Sequence, residues 1–118
     1  MGGILPPDVP VIMFGDSGEK LRLTLVAINR PEARLVEITV RAENLSGTPY
    51  REDLARWVWL IDADNQFYGR SITLTEARRD DESLRTFVFE VDGDPRLIRF
   101  RLSLRPGAPE RTQDWYLV

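Results

Sequence analysis

One segment, Leu35–Asn44, limits the folds open to this chain more than any other. Its even-numbered positions from Val36 to Ala42 are apolar, whereas its odd-numbered positions from Glu37 to Glu43 are polar or charged. A period of two over this length is typical of a β-strand with one face in a core and the other in water. The segment therefore predicts a sheet with one wet face.

Similar alternation predicts three further strands. Their inward faces are Leu21, Leu23, Leu25 and Ala27 in the first, Phe87, Phe89 and Val91 in the second, and Phe100, Leu102 and Leu104 in the third. Short apolar segments at 9–14, 57–61, 67–74 and 115–118 bring the total to about seven to eight strands, separated by turn-forming residues. We assign residues 29–34 and 76–82 to connections. No segment has the period of an amphipathic helix, so the sequence predicts an all-β antiparallel β-sandwich.

Length and composition limit the classes of function that the sequence supports. The 118 residues fit one domain, residues 1–118, with residues 1–10 as a candidate flexible segment. No apolar run approaches the roughly 20 residues of a membrane-spanning helix, and the N-terminus lacks the features of a signal peptide. The net charge of −3 argues against a nucleic-acid partner, which calls for a basic excess. Histidine and cysteine are absent, which excludes zinc sites of Cys and His, thiol nucleophiles and Ser-His-Asp triads. We predict no enzyme activity and no cofactor.

Four motifs follow one another in a familiar order. The strand exit Glu43-Asn44-Leu45-Ser46-Gly47-Thr48-Pro49 precedes an aromatic strand that closes in Leu60-Ile61-Asp62-Ala63-Asp64-Asn65-Gln66-Phe67-Tyr68. After an acidic loop come the strands Phe87-Val88-Phe89-Glu90-Val91 and Leu97-Ile98-Arg99-Phe100-Arg101-Leu102. From about residue 20 to residue 104 the chain resembles the bacterial immunoglobulin-like domains of unknown function found in lipoproteins and secreted proteins, which are similar to a small secreted mycobacterial antigen. The resemblance implies an immunoglobulin-like sandwich on an exported or surface-anchored protein, and it carries no catalytic residues.

Aromatic residues are the main candidates for a binding site. The candidate binding residues are Tyr50, Arg56, Trp57, Trp59 and Tyr68, because aromatic side chains on a sandwich can stack on sugar rings or anchor a protein partner. Trp57 and Trp59 are two residues apart and so share one face of a strand. We interpret that face as the core, with one tryptophan between the sheets and with Val58 and Leu60 pointing outward. The alternative is that the tryptophans are exposed and form the site.

Arginines are candidates for an anion site. Arg85, Arg99, Arg101 and Arg105 are expected together on one outer sheet face. We favour the interpretation that they pair across strands with Glu37, Glu43 and Glu90, each exposed pair contributing roughly 0–1 kcal/mol. Binding of an anionic ligand is the alternative.

One acidic turn has the spacing of the start of a calcium loop. It contains Asp62, Asp64 and Asn65, but the glycine and glutamate of the complete EF-hand pattern are missing. We favour a β-turn in which acidic side chains accept hydrogen bonds from their own backbone, and we predict no metal site.

These observations predict a non-catalytic binding or interaction module of a bacterial exported or surface-anchored protein, located outside the cytoplasm. Its partner is expected to be an unknown protein or a glycan, and a homodimer is a further expectation. The loop 48–56 and the strand 57–60 are the expected binding surface. The alternative function is a carbohydrate-binding module that uses exposed Trp and Tyr side chains.

Overall fold

The computed structural model describes residues 3–47, 57–79 and 81–117, except for the side chains of residues 77–79. Within these ranges the chain forms nine β-strands, and a short 3₁₀ turn at Pro109–Arg111 precedes the last of them. The strands are β1 (Val11–Phe14), β2 (Lys20–Glu32), β3 (Leu35–Asn44), β4 (Val58–Asp62), β5 (Phe67–Gly69), β6 (Ile72–Arg79), β7 (Glu82–Glu90), β8 (Leu97–Ser103) and β9 (Thr112–Tyr116). The predicted all-β fold is confirmed.

The strands form two antiparallel sheets packed as a sandwich. The five-stranded sheet has the order β1-β2-β3-β7-β6, and the four-stranded sheet has the order β5-β4-β8-β9. Strands β2, β3, β7 and β6 thus follow the A-B-E-D order of a constant-type immunoglobulin domain, and β4, β8 and β9 follow its C-F-G order. Strands β1 and β5 are additional edge strands.

Strand β3 has the two faces that its alternation predicts. Val36, Ile38 and Val40 are at most 1% exposed and form one wall of the core. On the opposite face the Thr39 hydroxyl lies 3.0 Å from the Thr86 hydroxyl of β7. The alternation therefore sets which face of the five-stranded sheet packs against the other sheet.

An aromatic cluster joins the two sheets in the core. The ring of Phe100 on β8 lies 5.9 Å from that of Phe87 and 6.3 Å from that of Phe89, both on β7. On its other side it lies 6.2 Å from the ring of Trp115 on β9. All four side chains are fully buried, so the core tryptophan of this sandwich belongs to the last strand.

A β-bulge in β2 shows that the inward position predicted for Ala27 is wrong. The register passes from Leu25 opposite Val40 to Ala27 opposite Thr39. The extra residue, Val26, shifts the alternation by one position. As a result Ala27 shares the outer face with Thr39, and Ile28 packs against the core instead.

Two predicted connections are shorter than expected. Strand β2 continues to Glu32, which leaves only Ala33 and Arg34 as the turn before β3. Residues 76–79 and residue 82 do not form a loop but belong to β6 and β7, which pair with each other, with Glu76 opposite Leu84. Charged residues are tolerated there because β6 is an edge strand whose outer side meets solvent.

The N-terminal segment connects the two sheets. The Leu5 N–H donates to the Asp114 carbonyl at 3.0 Å, and the Leu5 carbonyl accepts from the Tyr116 N–H at 2.8 Å, which makes a parallel bridge to β9. The indole Nε1 of Trp115 donates to the Val9 carbonyl at 3.0 Å. After Pro10 the chain enters the five-stranded sheet as β1, so this segment covers the edge of β9.

Candidate binding surface on the four-stranded sheet

Strand β4 has the opposite orientation to the one we predicted. Val58 and Leu60 are 3% and 0% exposed and lie in the core, whereas Trp59 is half-buried on the outer face of the four-stranded sheet. The interpretation of the Trp59 face as core is therefore wrong. The tryptophan that lies in the core is Trp115 of β9.

One row of residues crosses the outer face of the four-stranded sheet. Gly69 of β5 is paired with Trp59 of β4, Trp59 with Arg101 of β8, and Arg101 with Asp114 of β9. Residues directly opposite each other on one face have Cβ atoms about 4.5–5.5 Å apart, so their side chains interact. The row therefore brings aromatic, cationic and anionic groups side by side.

Phe67 of β5 adds a second aromatic ring beside this row. Its ring centroid lies 6.4 Å from that of Trp59, and the two rings are inclined at 75°, an edge-to-face contact. Phe67 is 50% exposed. An exposed phenylalanine fixed against a tryptophan presents an apolar ring surface to solvent.

Arg101 is held in place by two different contacts. Its Nε and Nη2 donate to the two carboxylate oxygens of Asp114 at 2.8 and 3.1 Å, and its guanidinium carbon lies 5.5 Å from the centroid of the Phe67 ring. The hydrogen bonds to Asp114 raise the pKa of the guanidinium above its ordinary value, against an opposing effect of burial. The same carboxylate lies 3.4 Å from Nε of Arg99. One aspartate thus holds two permanently charged arginines.

Most N–H donors of Arg101 have no acceptor in the part of the chain that the structure describes. A guanidinium has five N–H donors, and the pair with Asp114 uses one on Nε and one on Nη2. Both donors on Nη1 and the second donor on Nη2 have no acceptor among the residues that the structure describes. Arg101 can therefore receive a second acceptor group.

Arg101 stands between two depressions in this surface. The larger has a volume of about 390 Å³, with Trp59 and Phe67 as walls and Pro106 at its rim. The smaller depression, of about 200 Å³, is lined by Asp114 and by Ile4 of the N-terminal segment. We call the larger one the Arg101 depression. Its size falls within the range of roughly 300–1,000 Å³ that is usual for small-molecule sites.

The four arginines predicted to share one face are divided between the sheets. Arg85 lies in the five-stranded sheet, directly opposite the core residue Val40 and hence on the inner face. Arg105 lies after β8 and pairs with Asp16. Only Arg99 and Arg101 share a face, and their partner is Asp114 rather than the glutamates we expected.

The predicted binding residues have different positions. Trp59 is part of the Arg101 depression, and Trp57 is half-buried immediately before β4. Tyr68 is not on this surface: it packs against the core, and its hydroxyl donates to Asp62 at 2.7 Å. Tyr50 and Arg56 lie outside the described residues. The sequence points to Arg101 only as one of four arginines of a candidate anion site and does not single out Asp114, and strand register brings both of them beside Phe67.

The acidic turn after β4 uses its aspartate as a structural group. One carboxylate oxygen of Asp62 accepts the backbone N–H groups of Asp64 at 2.8 Å and Gln66 at 2.9 Å, and the other accepts the Tyr68 hydroxyl. The bonds from Gln66 and Tyr68 lower the pKa of Asp62. This is the β-turn arrangement we favoured. The described part of the chain contains no group of three or more side chains suited to hold a metal ion.

Comparison of the chain with protein-family models, with characterised proteins and with solved structures gives no match. Among the elements described above, no helix has the length and apolar character needed to cross a membrane.

Proposed function

We propose that this chain is a non-catalytic binding module that uses the outer face of its four-stranded sheet. One observation carries the proposal: Arg101, fixed by Asp114 and Phe67, presents unused N–H donors at an open depression with aromatic walls. Apolar surface combined with a few well-oriented polar groups is the usual composition of a binding site. The absence of histidine and cysteine from the sequence supports the non-catalytic part.

The proposal includes a family and a location. We infer an immunoglobulin-like domain of a bacterial exported or surface-anchored protein, outside the cytoplasm. The A-B-E-D and C-F-G strand orders support the immunoglobulin-like part. The location rests on the sequence resemblance alone.

The first candidate ligand is a protein partner. Aromatic residues and arginine are enriched among the residues that dominate protein interfaces, and the surface offers Trp59, Phe67 and Arg101 within one patch. A partner would bury the half-exposed Phe67 ring at the centre of the contact.

The second candidate ligand is a carbohydrate. It is favoured by the exposed Phe67 ring next to Arg101 donors and Asp114 acceptors, because a sugar combines an apolar C–H face with hydroxyl groups at its edge. Trp115 cannot contribute, since it is fully buried.

Matched phenylalanine variants test the proposed surface. Phe67→Ala removes the exposed ring of this surface, while Phe14→Ala removes a ring of 52% exposure on the five-stranded sheet. Both variants and the wild type are screened on a glycan array and against partners identified by cross-linking. We expect binding to be lost with Phe67→Ala and kept with Phe14→Ala. A ligand lost with Phe14→Ala but not with Phe67→Ala would place the site elsewhere and reject the proposal.

We retain the expected homodimer as a proposal with a defined contact. Ile72 and Leu74 of edge strand β6 are 52% and 56% exposed, and two β6 strands can pair in an antiparallel, two-fold symmetric manner. Sedimentation velocity over a concentration series should show a dimer that Leu74→Lys removes. A wild-type chain that stays monomeric at every concentration would reject it.

A further inference from the structure

We propose that the Arg101 depression binds an acidic pyranose, the uronate unit of an acidic polysaccharide. In this arrangement the uronate carboxylate lies on the free edge of the Arg101 guanidinium and the sugar ring lies against Phe67. The inference rests on the carbohydrate candidate described above and adds the class of sugar.

The first support is the orientation of Arg101. Its pair with Asp114 uses the side edge of the guanidinium, through Nε and Nη2. The edge formed by Nη1 and Nη2 retains two parallel N–H donors, which is the geometry that a carboxylate accepts in a bidentate manner. Because Asp114 and Phe67 already hold the group, a ligand loses little affinity to ordering of the side chain.

The second support is local charge. Among the described residues of this face, the Asp114 carboxylate lies between the guanidinium groups of Arg99 and Arg101. The cluster therefore carries a positive excess in a chain whose net charge is −3. An anionic ligand would be attracted to this point of an otherwise acidic protein.

The aromatic walls favour a sugar ring next to the carboxylate. Phe67 and Trp59 are inclined at 75° and form a corner with two apolar sides. A pyranose has a flat C–H face that packs on such a ring, while its hydroxyl groups remain in water or meet polar neighbours at the rim. The Arg101 depression, at about 390 Å³, has room for such a ring.

The sheet edges near the site argue against an extended peptide. A bound peptide strand usually adds to an exposed edge through its main chain. Strand β5 offers an edge of only three residues, Phe67–Gly69. The edge of β9 is already bonded to Leu5 through the N–H of Tyr116 and the carbonyl of Asp114. A carbohydrate needs no such edge.

Calorimetric titration with three probes tests the inference. The probes are a short oligogalacturonate, the same oligosaccharide with its carboxylates methyl-esterified, and poly-L-glutamate of similar charge. We expect the oligogalacturonate to bind and the other two to bind at least about tenfold more weakly, because the ester lacks the anion and the peptide lacks the ring.

Five variants locate the binding. Arg101→Gln and Phe67→Ala should each raise the Kd for oligogalacturonate about tenfold or more, whereas Arg34→Gln and Phe14→Ala, exposed residues outside this surface, should leave it unchanged. Circular dichroism checks that each variant is folded. Arg101→Lys keeps the charge but not the paired donors, so it should also lose affinity even if Arg101→Gln fails to fold.

The results with the three probes distinguish a failure of the acidic-sugar inference from a failure of the proposed binding function. Equal binding of the methyl ester would overturn the acidic-sugar assignment while leaving a carbohydrate-binding module. Equal binding of poly-L-glutamate would overturn the sugar part of the assignment. Lack of binding by all three probes would overturn the inference, while the phenylalanine variants would still decide whether this face is a binding surface at all.

Discussion

Arg101 and Asp114 face each other across β8 and β9 and share two hydrogen bonds, Nε to Oδ1 at 2.8 Å and Nη2 to Oδ2 at 3.1 Å. The Asp114 side chain is only 11% exposed, so this pair is shielded from water far more than most surface ion pairs. The pair joins β8 to the edge strand β9 on the outer face of the four-stranded sheet and supports the proposed site.

Replacing Asp114 should test how much that pair stabilises the sheet. Asp114→Asn removes the negative charge that pairs with Arg99 and Arg101, and we expect the free energy of unfolding to fall by about 1–2 kcal/mol. Urea denaturation measures the loss. Asp92→Asn is the matched control, because its side chain is 94% exposed and 4.0 Å from Arg34, and it should cost less than about 0.5 kcal/mol. Equal losses would show that the Arg101 pair adds nothing beyond an exposed one.

The turn after β4 should make stability depend on pH in the acid range. The pKa of Asp62 is lowered in the folded protein by the backbone N–H of Gln66 and the hydroxyl of Tyr68. A carboxyl with a depressed folded pKa stabilises the fold above its unfolded pKa of about 4, and this contribution is lost as the pH falls through the folded value. We therefore expect thermal scans to show wild type more stable than Asp62→Asn at pH 6, with the difference shrinking towards pH 2. A constant difference across this range would contradict the linkage.

Replacing the core tryptophan, Trp115, should lower the free energy of unfolding much more than replacing the surface tryptophan, Trp59. Trp115→Phe leaves a void in the aromatic cluster and removes the Nε1 donor from the Val9 carbonyl, so we expect a loss of about 2–4 kcal/mol. Trp59→Phe keeps an aromatic ring at a half-exposed position and should cost under about 1 kcal/mol. Denaturant titration compares the two. Iodide quenching should reach the Trp59 fluorescence and not that of Trp115, and the reverse pattern would contradict the assignment of faces.

Replacing each of two phenylalanines should distinguish a ring that the fold needs from a ring that is available for binding. Phe100→Ala removes the fully buried ring between Phe87 and Trp115, and we expect a loss of about 3–5 kcal/mol. Phe67→Ala removes a half-exposed ring on the outer face and should cost under about 1 kcal/mol. Thermal or urea unfolding gives both values. A large loss from Phe67→Ala would mean that this ring is needed mainly for structure.

Clear alternation made part of the fold predictable. Strand β3 alternates between apolar and charged residues, so only one assignment of its faces leaves the charges in water. Strand β4 gives no such choice, because Val58 and Leu60 on one face and Trp59 and Ile61 on the other are all apolar. Either face could have entered the core. In the structure the core contains Trp115 of β9 and not Trp59, and packing between residues so far apart in the sequence cannot be read from the pattern of β4 alone.

The candidate site was less predictable for a related reason. Phe67, Arg101 and Asp114 come from β5, β8 and β9, and they meet only because the register between these strands places them side by side. The hydrophobic pattern determines which face each strand buries, but it does not by itself say which residues of two distant strands stand opposite each other. The bulge at Val26 has the same effect in β2, where one extra residue reverses the face of Ala27.

The bridge between Leu5 and β9 has a mechanical consequence. The two segments run in the same direction and are joined by bonds on both sides of Leu5. If the two ends of the chain are pulled apart, the N-terminal segment is drawn one way along β9 and β9 the other, so these bonds are loaded together in shear rather than opened one at a time. The indole of Trp115 also bonds to Val9, farther along the same N-terminal segment. Unfolding under tension would therefore have to break this contact before either sheet could come apart.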